Sequence, residues 1–213
     1  MNSEFYAYRD KRDSGTKPSE SLGKWRFEMD ISRIKGSDTV DERYLRRCIR
    51  TLKQWGAPLD GWICVDVVDV KEDVDDVDFS TCELCGCSNV RYEHYMKHDE
   101  YFEEVIVGCI CAGIMEGDIL KAKERERLMK NRAQRRKRFV AKGWEETAAG
   151  QQYRDYKDEK VLLHKCSVGY SVQVKGRMIY QYKGKRIMDT LTAAYAAFNV
   201  LDPVEDILCG KKE

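Results

Sequence analysis

The chain has 213 residues, room for one domain of ordinary size or for two or three small units with separate cores. Charged residues make up 35% of it and the mean hydropathy is −0.64, which excludes a membrane-spanning segment. The first residues lack the apolar stretch of a secretory signal, so we expect a cytoplasmic protein. Nine cysteines in a reducing compartment favour metal ligation over disulfides.

Acidic and basic residues are segregated along the chain, although the net charge is only +1. Residues 60–78 contain eight acidic residues against one lysine, whereas residues 118–142 contain eleven basic residues against three acidic ones. The basic segment is typical of a polyanion-binding surface, and the acidic one either repels a polyanion or folds back on the basic segment. Two solvated faces without a partner are the alternative.

The N-terminal third predicts a flexible tail followed by a small scaffold. Residues 1–23, with several Ser, Gly and Pro, are expected to form the tail. Residues 24–79 predict a β-α-β unit: an alternating strand that ends at Ile31, a helix capped at Thr39, and a second strand over residues 62–70. We expect the two strands to be parallel neighbours. No glycine-rich phosphate loop lies between strand and helix, so a nucleotide site is not predicted.

The scaffold ends in an acidic run, residues 71–78. Clustered carboxylates suit Mg²⁺, so a metal-dependent nuclease with Asp66, Asp69, Asp73 or His94 as ligands is one alternative. No second acidic cluster or placed general base accompanies the run. A solvated linker is therefore the favoured interpretation.

The segment 80–117 begins with a Cys-x-x-Cys-Gly loop formed by Cys82, Cys85 and Gly86. A glycine with positive φ lets the backbone turn its amides toward two thiolates that bind one metal. Two β-type runs, residues 90–96 and 103–107, surround a polar turn and predict a hairpin. The hairpin is expected to bring the loop to a second pair of cysteines.

The second pair is Cys109 and Cys111, which would point the same way on a strand. Together the two pairs predict one structural zinc ion in a tetrahedral site, with the ligands Cys82, Cys85, Cys109 and Cys111. If only one cysteine of the second pair binds, Cys87, His94 or His98 is the fourth ligand. Cys48 and Cys64, on a predicted helix and strand, are interpreted as small core residues.

The stretches CELCG, RYEHY and VGCICA resemble the zinc ribbons of bacterial and phage proteins of unassigned role. The resemblance covers about 40 residues. It implies a zinc-ribbon hairpin and an origin in a phage or mobile element. The chain departs from the ribbon pattern in its second pair, since Cys109 and Cys111 are separated by one residue rather than two.

Residues 118–142 predict a long basic helix, because they contain strong helix formers and neither Pro nor Gly. At 1.5 Å per residue the rod is roughly 37 Å long, and its apolar stripe is thin. The dense positive stretch near its end suits phosphate contacts, and part of that charge also stabilises the helix C-terminus. The nucleic-acid-binding residues predicted here are Arg132, Arg135, Arg136, Lys137 and Arg138.

Residues 143–213 predict a β-β-β-α unit. Strands are expected over residues 160–165, 168–175 and 177–183, followed by a helix capped at Asp189 or Thr190. Basic and aromatic residues interleave on this small sheet, as in modules that clamp nucleic acid. The predicted contacts are Arg177, Lys183, Lys185 and Arg186.

The stretch GYSVQVKGRMIYQYKGKRIMDTLTAAYAAF resembles, in its order of strands and helix, the DNA-binding domains of ethylene-response factors and of integrase arms. The resemblance implies a sheet that lies in a groove of the nucleic acid with the four basic residues near the backbone.

The sequence therefore predicts an α+β protein that is not an enzyme and that binds nucleic acid around one structural zinc. A protein-interaction regulator or inhibitor of a host complex is the main alternative, because the acidic run and the long helix also suit a protein partner. No membrane partner is expected.

Overall fold

The structure is a computed structural model that describes residues 31–72 and 78–210. It contains both helices and sheets, which confirms the α+β class. The predicted tail, nearly all of the first predicted strand and residues 73–77 of the acidic run lie outside the described residues. Ile31, the last residue of that predicted strand, belongs to a short 3-10 helix.

The first α-helix, α1, spans Glu42–Gln54 and follows two 3-10 helices, Ile31–Arg33 and Ser37–Thr39. Its N-cap is Asp41, whose carboxylate accepts hydrogen bonds from the amides of the two residues that follow Glu42. The cap was expected at Thr39, but the hydroxyl of that residue donates to the carbonyl of Gly36 instead. An acceptor one position before the helix is the better cap, because its side chain reaches the free amides of the first turn.

Three antiparallel strands form the first sheet in the order β1-β2-β3. They are β1 Ile63–Asp69, β2 Tyr92–His98 and β3 Tyr101–Val107. Strands β2 and β3 are the predicted hairpin. Strand β1 was expected to pair in parallel with a strand from the N-terminal region, yet its partner among the described residues is β2, in antiparallel register.

Helix α2, Cys109–Glu116, replaces the strand that was predicted for the second cysteine pair. The β-branched residues before Gly108 suggested that the strand continues, but β3 ends at Val107 and the helix begins directly after Gly108. The following residues include Ala, Met and Glu, which are good helix formers, and Gly117 ends the helix in a left-handed conformation (φ 72°).

Helix α3, Ile119–Ala141, follows at once, with Asp118 as N-cap and Lys142 as C-cap. These bounds agree with the predicted basic helix. Gly113 permits the close contact between α2 and the start of α3, since a Cβ there would lie 2.5 Å from the Cα of Ile119. The buried stripe of α3 contains three arginines among its apolar residues: Ile119, Ala122, Arg125, Met129, Arg132, Arg136 and Phe139.

The C-terminal unit has a five-stranded antiparallel meander in the order β4-β5-β6-β7-β8. The strands are β4 Glu145–Glu146, β5 Gln152–Tyr156, β6 Glu159–Lys165, β7 Tyr170–Val174 and β8 Arg177–Ile179. A separate ribbon contains β9 Gln181–Tyr182 and β10 Lys185–Arg186, and the chain then forms α4 Thr190–Leu201 and α5 Val204–Leu208.

The prediction of three strands and a helix was therefore incomplete. The predicted third strand is divided between β8 and β9, and β5 was missed because it is polar and buries only Arg154. Asp189 is the N-cap of α4, as expected.

Helix α3 connects two main apolar cores. Its first turns pack with α1, α2 and the first sheet, whereas Phe139 near its end packs with the second sheet and α4. A third, smaller cluster joins α5 back to the first sheet through Ile207, Val67, Tyr92 and Met129. In the described part of the chain, no helix has both the length and the apolar composition to span a membrane.

Candidate metal centre and basic surfaces

The loop from Cys82 to Cys87 has the geometry expected of a metal-binding knuckle. The amide of Gly86 donates to the carbonyl of Cys82, and the amide of Cys82 donates to the carbonyl of Cys87, both at 2.8 Å. Gly86 has φ 74°, as its position after Cys85 predicted. The turn therefore holds Cys82 and Cys85 on one side of a tight loop.

Cys111 brings a third sulfur to this loop from the first turn of α2. The Sγ atoms of Cys82, Cys85 and Cys111 all lie within 4.8 Å of one another. Cys82 and Cys111 are each only 1% exposed. In a tetrahedral zinc site with Zn–S bonds of 2.3 Å, sulfur atoms are roughly 3.8 Å apart, so these three have spacings that a single ion can close.

Cys48 adds a fourth sulfur from α1. Its Sγ lies 4.0 Å from the Sγ of Cys111, and the residue is fully buried. The interpretation of Cys48 as a core residue is correct for its burial but missed its position beside the other thiols. The first core thus contains three mutually close sulfurs, from the knuckle and α2, and a fourth from α1 beside the Cys111 sulfur.

Tyr44 lies one turn before Cys48 on the same face of α1, and its hydroxyl is 3.0 Å from the Sγ of Cys111. Burial and the neighbouring thiols, Cys111 first, raise the pKa of Tyr44 well above its ordinary value. The phenol therefore remains protonated, and its hydroxyl lies within hydrogen-bond distance of the Cys111 sulfur. If Cys111 binds a metal as a thiolate, this hydroxyl would donate to it and orient it.

Protons are shared unequally among the four thiols. The pKa of Cys111 is raised by its hydrogen-bond interactions with Cys48, Cys82 and Cys85, and further by burial. The same hydrogen bonds lower the pKa values of the three acceptors against the opposing effect of burial, that of Cys85 to about 4. The arrangement favours thiolates at Cys48, Cys82 and Cys85, and the thiolate is the form that binds a metal cation.

Cys109, one of the four predicted ligands, does not join the cluster. Residues two apart on a helix are separated by about 200° around its axis, so Cys109 and Cys111 point in nearly opposite directions. The thiol of Cys109 faces Glu126 of α3, and burial followed by this carboxylate raises its pKa. The prediction that both cysteines face one metal was wrong because it assumed a strand.

The other predicted alternatives for the fourth ligand also lie elsewhere. Cys87 is exposed at the end of the knuckle. His94 is buried in β2 with Nδ1 3.1 Å from the carbonyl of Tyr92. His98 accepts a hydrogen bond from the amide of Glu100, and its ring contacts that of Trp62 at a tilt of 57°.

Of the five arginine and lysine residues of α3 that were predicted to bind nucleic acid, three form hydrogen bonds and ion pairs within the chain. Arg132 is 3% exposed and donates to Glu72 at 2.5 Å, to Asn199 at 2.8 Å and to the carbonyl of Asp202 at 2.8 Å. Arg135 forms a two-pronged pair with the carboxylate of Asp202, at 2.6 and 3.1 Å.

Arg136 is likewise buried and serves as an internal contact. It donates to the carbonyl of Glu72 and to the hydroxyl of Tyr182, and its guanidinium lies 4.1 Å from the centroid of the Tyr195 ring. The acidic run thus touches the basic helix at Glu72. Arg132, Arg135 and Arg136 were predicted to bind nucleic acid because they appeared exposed. In the structure their charges are paired with Glu72 and Asp202, which are distant in the sequence.

The remaining predicted basic residues are at the surface. The structure places Lys137 and Arg138 on the outer side of α3, Arg177 at the start of β8, and the others on the β9–β10 ribbon: Lys183, Lys185 and Arg186. On the sheet itself, the ammonium of Lys160 lies 4.4 Å from the ring centroid of Tyr153.

The residues of the nuclease alternative are not gathered in the described structure. Asp69 is buried and paired with Arg91 at 2.9 and 3.0 Å, and Asp66 accepts from the amide of Val67. Asp73 lies outside the described residues. In residues 31–72 and 78–210, the group of potential ligands close enough to share a metal ion is Cys82, Cys85 and Cys111.

Fold and site together define an α+β protein with a buried cluster of cysteines that can hold a metal ion. The chain matches none of the protein-family models, curated proteins or solved structures with which it was compared.

Proposed function

We propose that the chain is a zinc-stabilised nucleic-acid-binding protein whose single zinc ion is held by Cys48, Cys82, Cys85 and Cys111. One observation carries the metal assignment: the thiols of Cys82, Cys85 and Cys111 lie within 4.8 Å of one another, and the thiol of Cys48 lies 4.0 Å from that of Cys111. Cysteines that only fill a core are not expected to bring their sulfurs together from separate segments, whereas a tetrahedral ion requires sulfurs that surround one point.

The ligand set supports zinc in a structural role. Four sulfurs in a tetrahedral arrangement suit zinc, with iron as the competing metal. Four thiolates leave no open position for water or substrate, so the site would not act as a Lewis acid. Its effect is to link α1, the knuckle and α2, and with them most of the first core.

Nucleic-acid binding is supported by the basic residues that are still exposed once the paired arginines of α3 are left out. The C-terminal sheet packs one face on α4, and its other face carries Tyr153 beside Lys160. Further exposed basic side chains of the C-terminal unit are Arg177 at the end of the sheet and Lys185 and Arg186 on the β9–β10 ribbon. A tyrosine beside a lysine, with further exposed basic residues in the same unit, suits stacking and phosphate contacts.

The metal assignment is tested by measuring bound metal in the wild type and in single Cys→Ser variants. We expect one zinc per chain, lost or strongly weakened in Cys48→Ser and Cys82→Ser. Cys109→Ser is the matched control, because it alters a buried cysteine of the same helix as Cys111 and should keep its zinc. Full zinc binding in Cys48→Ser would remove that residue from the site. Strong visible absorption from bound iron would overturn the choice of metal.

Nucleic-acid binding is tested on the same protein by salt titration with a labelled duplex and a labelled single strand. We expect affinity to fall steeply with salt, because basic side chains release counterions from the phosphates. Bound zinc without salt-dependent affinity would reject nucleic acid as the partner, and a protein partner would then be the better hypothesis.

A further inference from the structure

The outer face of α1 carries a stripe of basic side chains that the sequence did not single out. Within the helix, five basic residues stand against Glu42 as the one acidic residue. At 100° per residue, they fall within an arc of about 120° and extend over about 15 Å of the axis. This basic stripe consists of Arg43, Arg46, Arg47, Arg50 and Lys53, all of which are exposed.

Among the described residues, the charges of this stripe are largely uncompensated, unlike those of α3. Arg46 pairs with Glu42, with its Nε 2.9 Å from the carboxylate. Arg43, Arg50 and Lys53 have no acidic partner in the portion of the chain that the structure describes. The stripe thus presents positive charge to an external anion rather than to a buried carboxylate.

The opposite face of α1 fixes the stripe in place. Leu45, Cys48 and Leu52 are buried in the first core, Cys48 beside the cluster thiols. The hydroxyl of Tyr44 is held against Cys111, and the guanidinium of Arg47 lies over the Tyr44 ring at 5.2 Å from its centroid. A metal ion at the cluster would therefore anchor the helix that presents the charges.

The shape and chemistry of the stripe favour a regular row of phosphates. An interfacial membrane helix needs a free apolar face, but the apolar residues of α1 are buried in the core. Unpaired bases need aromatic rings to stack on, and the one aromatic ring among these residues, Tyr44, is partly covered by Arg47. A rigid row of guanidinium groups best matches the fixed phosphate spacing of a duplex.

We propose that α1 binds the phosphate backbone of a nucleic-acid duplex through Arg43, Arg46, Arg47, Arg50 and Lys53. This inference rests on the proposed nucleic-acid binding and names a surface for it on the N-terminal unit. Phosphate contacts of this kind give affinity with little dependence on base sequence.

The test compares two quadruple variants in salt titrations with a labelled duplex. The α1 variant is R43Q/R47Q/R50Q/K53Q, which leaves the Arg46–Glu42 pair intact. The comparison variant removes the same number of exposed charges from α3 and the C-terminal unit, where the proposed function already places nucleic-acid contacts, K137Q/R138Q/R177Q/R186Q. Zinc content and the unfolding midpoint of each variant show that it is folded, and R43Q/R50Q is a milder second variant.

We expect the α1 variant to bind the duplex roughly 100-fold more weakly at 50 mM salt, with the salt slope reduced by about 3.5. R43Q/R50Q should lower the slope by about 2. A wild type without salt-dependent binding would reject the proposed function itself. If the wild type binds, the comparison variant is weakened and the α1 variant is unchanged, the role of α1 is rejected and the proposed function is retained. Tighter binding to the single strand than to the duplex would overturn the choice of partner.

Discussion

At the scale of single residues, Tyr44 is the side chain that connects the cysteine cluster to its surroundings. Its hydroxyl is 3.0 Å from the Sγ of Cys111. Tyr44→Phe removes this hydrogen bond and little volume, so we expect zinc affinity to fall roughly 10-fold, the lower end for a partner of a metal ligand. Competition with a chromophoric chelator measures it.

Tyr95→Phe is the control for Tyr44→Phe, because the hydroxyl of Tyr95 bonds to Glu93. Equal zinc affinity in the two variants and the wild type would show that the Tyr44 hydroxyl has no influence on the metal.

His94 makes the stability of the fold depend on pH. Burial, followed by the charge of Arg125, lowers the pKa of His94 to about 4 from 6.5. Below pH 6.5 the unfolded chain binds a proton that the folded chain does not, so the free energy of unfolding falls as pH drops toward 4. From pH 7 to pH 5 the loss from this residue is about 2 kcal/mol.

Urea unfolding of the wild type and His94→Gln at the two pH values measures this loss, since the amide does not titrate. The variant should lose about 2 kcal/mol less than the wild type between pH 7 and pH 5. Parallel losses in both proteins would show that His94 is protonated equally in the folded and unfolded states.

The cysteine cluster shows which part of a site is readable from sequence. Cys82 and Cys85 were predicted because the knuckle is local: two cysteines and the glycine that follows them fall within five residues. Cys48 was not, because it occupies an apolar position of α1 and has the same pattern as a core residue. Only the packing of α1 against α2 shows that it faces a thiol, since Cys48 and Cys111 are 63 positions apart.

At the scale of elements, α3 is a structural rod rather than a mainly exposed basic helix. Arg132 and Arg136 both contact Glu72, whose side chain is 17% exposed. Removing one guanidinium leaves partners without their hydrogen bonds, so we expect Arg132→Gln and Arg136→Gln each to lower the free energy of unfolding by about 2–4 kcal/mol. Urea unfolding measures the difference.

Arg138→Gln is the control for these two substitutions, because its side chain is exposed on the same helix. It should change the free energy of unfolding by less than about 0.5 kcal/mol. Similar small effects at all three positions would contradict a structural role for Arg132 and Arg136.

Helix bounds and helix faces differ in how well the sequence predicts them. The ends of α3 follow from Asp118, Gly143 and the absence of breakers between them, all of which are local. The buried face of α3 does not follow from local residues, because an arginine is expected to face solvent unless its partner is known. The same reason hid β5, whose one buried residue is Arg154, aimed at the carbonyl of Phe139 at the end of α3.

At the scale of the whole molecule, α3 and α5 join the two cores. The first turns of α3 belong to the core that contains the cysteine cluster, and Phe139 belongs to the second core. Ile207 of α5 returns to pack on Val67 of β1. We therefore expect removal of the metal by a chelator to increase hydrogen exchange in α4 as well as in α1, because opening the first core removes support from the second.

Exchange measured by mass spectrometry on peptides from α1 and α4, with and without chelator, tests this coupling. Cys109→Ser with chelator is expected to behave as the wild type does. Faster exchange confined to α1 would show that the second core is stable without the first.

The wide separation of the cluster cysteines also affects how the chain folds during synthesis. Cys48 is translated 63 residues before Cys111. At 5–20 residues per second, the ribosome needs roughly 3 to 13 seconds to cover that interval. Throughout it, the α1 segment lacks the α2 residues that cover its apolar face and contact its Cys48 thiol in the folded chain. A metal ion held by both Cys48 and Cys111 could bind only after α2 has been made, so this link between the segments would form late in synthesis.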